Sequence, residues 1–195
     1  MHCFILPLYL SINMNRIGFS SRLGAAALDW IFAGVFAGVL AAIFGVLGLG
    51  AGGALGLAVD EQAEMESALE FVGLGAGIGA LLGLISGVIV GYFLYSLIEA
   101  FAGASPGKMA LGFKVGNEDG RAGDTGLYLM RWAIKNASSV FSIITLITGL
   151  VFLEPIGPFI GIVMFFGCFL ALSEERQALH DKIAKTAIYH KKDLI

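Results

Sequence analysis

The chain has 195 residues, 57% hydrophobic and 14% charged, with a formal net charge of −3. Soluble domains carry roughly 25% charged residues and disordered chains more still, so both classes are excluded. The 28 glycines follow no Gly-X-Y period, which excludes a collagen-like chain, and the acidic balance gives no reason to expect a nucleic-acid partner.

In chain order, residues 1–17 read as an N-terminal tail. Its apolar run Cys3–Leu10 is broken by Pro7, has no basic residue before it and ends in no small-residue cleavage site, so it fits a signal peptide poorly. Either Met1 or Met14 can be the start. A first apolar stretch follows at about 23–47, and between Asp29 and Asp60 thirty residues pass without a charge. A second, at about 71–98, fills the twenty-eight uncharged positions between Glu70 and Glu99. Crossing ~30 Å of hydrocarbon takes about 20 apolar residues, so both can span a membrane. Asp124-Thr125 can cap a helix through Tyr128, Leu129, Arg131, Trp132 and Lys135, a mixed basic and aromatic stretch suited to a membrane interface. Two shorter stretches, about 137–153 and 157–172, are separated by Glu154-Pro155-Ile156-Gly157-Pro158, where two prolines favour a turn. Cys168 lies in the last stretch, and with Cys3 it forms no CxxC, so neither a disulfide framework nor a metal site is expected.

Sorting the charges orients the stretches. All 12 Lys and Arg fall in the N-terminal segment, the 99–136 connection or the C-terminal tail, whereas the Asp60–Glu70 connection holds five acids and no base. The positive-inside bias then places the three basic segments in the cytoplasm and the acidic one outside. Both termini are cytoplasmic, so the number of crossings is even. The expected fold is an all-α polytopic bundle of four spans, the third and fourth a short hairpin, in a bacterial-type inner membrane. Residues 18–188 form the membrane domain and 189–195 a basic tail.

Glycines recur at every fourth position. Gly75, Gly79, Gly83, Gly87 and Gly91 line the second span, Gly48, Gly52 and Gly56 close the first, and Gly34 and Gly38 add an earlier pair. Such stripes let helix backbones approach closely in lipid, most simply between the first two spans.

Asp29 is the costliest residue, since a carboxylate at a bilayer centre costs roughly 2.5–3.5 kcal/mol on insertion scales. It lies seven positions after Arg22, nearly two turns on and on the same face, too far for an unstretched bond between them. Either it is deep in the span, or it sits near the headgroups and pairs with a basic residue. The run Gly18-Phe19-Ser20-Ser21-Arg22 through Leu28-Asp29 resembles the opening of the RDD family of membrane proteins. Ser105-Pro106-Gly107-Lys108 with Gly112 is similar to that family's second motif, and Leu179-His180-Asp181 with Thr186 to its closing one. The resemblance runs from Gly18 to Thr186, and departs at Ser20-Ser21, where an aromatic often stands. It implies that Arg22, Asp29 and Asp181 are the family's namesake charges.

Arg22, Asp29, Arg131 and Asp181 are expected to gather at the cytoplasmic mouth, with His180 folded beneath the bundle and Glu99 a partner for Lys108. The network either serves transport or only locks the fold. Ser105-Pro106-Gly107-Lys108 is not a phosphate loop, because Ala102 and Met109 stand where that pattern needs Gly and Ser or Thr. No enzymatic or cofactor motif competes, and the three histidines are scattered. The resemblance implies movement of ions or small solutes, some members being linked to cation/proton exchange. A monovalent cation or proton is then the substrate, and four spans call for a homo-oligomer. The alternative is an assembly or scaffold protein whose glycine-striped helices bind partner helices.

Overall fold

A computed structural model describes residues 16–58 and 65–195. Cys3, Met14 and the acids Asp60, Glu61 and Glu64 of the predicted outer connection lie outside the described residues. The chain forms α1 (Phe19–Ala58), α2 (Met65–Ala102), α3 (Pro106–Ala110), β1 (Phe113–Asn117), α4 (Thr125–Lys135), α5 (Ala137–Thr148), α6 (Ile156–Gly167), α7 (Leu179–Ile183) and β2 (Thr186–His190). Short 3₁₀ turns cover Val151–Leu153, Cys168–Leu172 and Lys191–Asp193. It divides into two compact units, Trp30–Tyr95 and the remainder.

Within Trp30–Tyr95 the halves of α1 and α2 run antiparallel at close range. A Cβ added at Gly48 would overlap the carbonyl of Gly79, one at Gly52 that of Gly75, and one at Gly56 that of Phe71. Gly83, Gly87 and Gly91 meet Phe44, Ala41 and Ala37 in turn. The contact face of α1 therefore continues through the buried Ala41, Ala37 and Ala33. Gly34 and Gly38, expected to extend the stripe, have open space around their Cα atoms and lie off this face. The opposite faces carry exposed apolar side chains, Trp30 at 80% among them, as a lipid-facing surface would.

The lengths differ from expectation. α1 has 40 residues and α2 has 38, about 60 and 57 Å at ~1.5 Å per residue, twice the ~30 Å of hydrocarbon. Among the described residues, three stretches are long and apolar enough to cross a membrane: Phe19–Gly56, Glu66–Ala102 and Val151–Leu172. The expected third span is cut short. α5 has 12 residues, about 18 Å, and stops at Gly149, whose positive φ of 69° turns the chain out of the helix. The break between the last two apolar helices thus falls at 149–155 instead of Glu154–Pro158. Pro158 lies inside the first turn of α6, where its missing N–H costs no hydrogen bond.

The all-α expectation also needs correction. β1 and β2 pair antiparallel, Phe113 opposite His190 and Asn117 opposite Thr186. The domain limit drawn at 188 therefore cuts a strand, and 189–195 is not a separate tail. The limit at 17 moves as well, because Arg16 bridges to Tyr189 and the Ile17 N–H donates to the Ile188 carbonyl at 2.8 Å. Ile17, Phe113, Val115, Tyr128 and Ile188, together with Ala25, form the buried core of this unit. Asp119-Gly120 turns the chain after β1, with Gly120 at φ 83°.

Candidate functional site

The last turn of α2, the start of α1 and the polar faces of α4 and α7 enclose a charge network. Arg131 is placed by α4, which Asp124 caps by accepting the Leu127 N–H at 2.7 Å. Its guanidinium is 2% exposed and bridges two carboxylates. Nε and Nη2 reach Asp181 Oδ1 at 2.9 and 2.8 Å, while Nη1 binds Glu99 Oε1. Asp181 is fully buried, and its Oδ2 accepts from Arg22 Nη1 at 2.5 Å and from the Ala178 N–H at 3.3 Å. Glu99 Oε1 also takes the ammonium of Lys108, and Oε2 takes that of Lys135 at 2.6 Å. Four cations thus surround two carboxylates. Such charges are costly to bury singly and are tolerated because each acid is multiply paired.

His180 lies against this network with Nε2 3.1 Å from Arg131 Nη2. A guanidinium nitrogen can only donate, so Nε2 accepts and the ring is neutral with its proton on Nδ1. Burial, aided by Arg131, pushes the His180 pKa down to about 3 despite the adjacent Asp181. Burial would raise Asp181, but Arg131 and Arg22 outweigh it and hold the carboxyl well below its usual range. Burial would lower Arg131, yet Asp181 and Glu99 hold it above its ordinary value. Burial lowers Lys108 to about 8, against the pull of Glu99.

Asp29 is not in this cluster. It is half-buried, and its carboxylate accepts from Ser105 Oγ at 2.5 Å and from the Gly107 N–H at 2.8 Å. Each residue of Ser105-Pro106-Gly107-Lys108 then has a distinct task. Ser105 binds Asp29, Pro106 starts α3 with a preset φ, and Lys108 reaches Glu99. A Cβ at Gly107 would run into the Ala25 carbonyl and the Asp29 carboxyl, so only glycine fits. Arg22 and Asp29 do not pair with each other. Arg22 instead turns to Asp181 and to the carbonyls of Ile17 and Arg176 at 3.0 and 2.6 Å.

Of the residues singled out from sequence, Arg22, Glu99, Lys108, Arg131, His180 and Asp181 come together, and Asp29 joins them through the Ser105–Lys108 loop. Lys135 was missed, although it lies four residues after Arg131 and so on the same helix face. A second polar node was also missed. Buried Arg16 donates to the Glu118 and Glu175 carbonyls at 2.8 and 3.1 Å and to Gln177 Oε1 at 3.1 Å. Nothing in the local pattern marks Arg16, because its acceptors lie more than a hundred positions away. Among the described residues, no three His, Cys, Asp or Glu side chains are grouped to hold a metal ion.

A family model described as the RDD family matches residues 16–185. No curated protein and no solved structure gives a significant match.

Proposed function

The chain belongs to the RDD family of membrane proteins, and from that premise we propose that it moves ions or small solutes across the bilayer, with monovalent cation/proton exchange the favoured form. The carrying observation is the network in which Arg131 joins Glu99 and Asp181 at the ends of apolar helices. Ionisable groups within membrane segments that face the bundle interior mark ion pathways, and a buried ion pair is by itself weak evidence for stability.

Four cations face two carboxylates, so one ammonium can leave Glu99 without orphaning it. Lys108, whose pKa lies near 8, is the cation best able to give up its proton at ordinary pH. A monovalent cation would then take its place at Glu99 Oε1. Asp29 governs this exchange from behind, because it grips the Ser105 hydroxyl and the Gly107 N–H beside Lys108. In this reading no covalent catalysis is involved, the protein works as a homo-oligomer in an inner membrane, and the α5–α6 hairpin supplies the third and fourth crossings with both termini cytoplasmic.

The scaffold alternative has less support. The Gly48–Gly56 and Gly75–Gly91 faces meant for partner helices already pack on one another. The test is proton flux in liposomes driven by Na⁺, K⁺ or Li⁺ gradients. Wild type should exceed empty liposomes, and Asp29→Asn, Asp181→Asn and Lys108→Gln should each lose most of the flux, on the order of tenfold. Absence of wild-type flux with all three cations defeats cation exchange. Unchanged flux in Asp29→Asn removes that residue from the mechanism.

A further inference from the structure

Where α2 ends at Ala102, the chain folds back through α3 and the sheet and leaves two adjoining hollows that share Gly112 and Lys191. One, of about 220 Å³, is lined by Ala102, Ala104, Met109, Phe113, Lys114 and Lys191 as well as Gly112. The other, of about 450 Å³, is lined by Gly112, His190, Lys191 and Lys192. We propose that this paired hollow binds the headgroup of an anionic phospholipid.

Three observations carry the proposal. First, the hollow is built by the fold. The Lys191 N–H donates to the Gly112 carbonyl at 2.8 Å, and the Phe113 and His190 rings meet edge-on at 5.0 Å. The antiparallel register sets Lys114 opposite Tyr189, two positions from Lys191. Second, its charge is one-sided. Lys114, Lys191 and Lys192 line it and, among the described residues, no acidic side chain does; the nearest acid in sequence is Asp193, and Lys108 is turned away onto Glu99. Third, its floor and surroundings are apolar. Phe101, Met109 and Leu111 are exposed by 62%, 46% and 39% beside the end of a membrane-length helix. A phosphodiester flanked by acyl chains satisfies both the cations and the apolar floor, whereas a free phosphate leaves the floor unused.

The experiment uses the full chain in nanodiscs of phosphatidylglycerol or phosphatidylcholine. Acetylation of Lys114 and Lys191 in the wild type should be slowed by phosphatidylglycerol and not by phosphatidylcholine. Lipid retained on detergent extraction, read by native mass spectrometry, should favour phosphatidylglycerol. Lys114→Gln/Lys191→Gln/Lys192→Gln should lower that retention on the order of tenfold, and the corresponding Arg substitutions should restore it. Arg121→Gln/Lys182→Gln, which removes exposed cations elsewhere, should leave it unchanged. Equal protection by the two lipids, or by inorganic phosphate alone, overturns the assignment. An equal loss in both Gln variants does so too, since it reduces the effect to general charge.

Discussion

Arg131 decides the state of its neighbours because a guanidinium offers donors only. Its Nη2 makes His180 an acceptor, and burial keeps that imidazole neutral until about pH 3. In the unfolded chain histidine takes a proton near pH 6.5. Between these values the unfolded state binds the extra proton, so stability falls as pH falls, by up to ~1.4 kcal/mol per unit. Asp181 contributes in the same direction only below about pH 4, because its folded pKa is depressed and its unfolded value is near 3.9. Thermal unfolding in micelles should therefore show wild type losing about 1–2 kcal/mol from pH 6.5 to 5, with His180→Gln flat over that window. Equal slopes would mean that the ring titrates normally in the fold. At this scale Arg22, Asp181 and His180 were legible from motif position. The partners of Asp29 were not, since a carboxylate seven residues into a helix shows neither its depth nor which loop returns to it.

For the helices, spacing identified the face of α2 and misjudged that of α1. A strict period of four drifts across the surface of a 3.6-residue helix over many turns. On α1 the contact passes from Gly48, Gly52 and Gly56 to Ala41, Ala37 and Ala33, so Gly34 and Gly38 fall off it. Neighbouring glycines of α2 then give opposite outcomes. Gly79→Ala drives a methyl into the Gly48 carbonyl and should lower the melting temperature by about 5 °C or more. Gly77→Ala meets open space and should leave stability unchanged or raise it by about 0.5–1 kcal/mol. If both behave alike, the helices are not in this close register. The β1–β2 pair escaped notice because each strand has only five residues and the partners are 69 or more positions apart, beyond any local period.

Over the whole molecule the prediction to test is hairpin crossing against re-entry. α5 is short of the bilayer thickness, while α6 continues through the 3₁₀ turn Cys168–Leu172 to about 28 Å. Single cysteines in a background with Cys3 and Cys168 replaced by Ser distinguish the arrangements. With four crossings and cytoplasmic termini, Glu66→Cys and Glu154→Cys should react with an impermeant maleimide on intact cells, and Lys192→Cys only after permeabilisation. Labelling of Glu66→Cys but not Glu154→Cys would make α5–α6 a re-entrant loop. Labelling of Lys192→Cys from outside would reverse the parity.

Scarce charge, 14% against 57% hydrophobic, by itself determined that this chain lives in a membrane. The order of its motifs pointed to the family, because those properties depend on composition and local spacing. Only the tertiary structure decided that Glu99, Arg131 and Asp181 share one network while Asp29 is held by a Ser-Pro-Gly turn. It also brought Arg16 and β2 together into one unit with the ends of the long helices. The reason is physical: a buried charge must find partners, and the partners are chosen by where distant segments return, which no local pattern encodes.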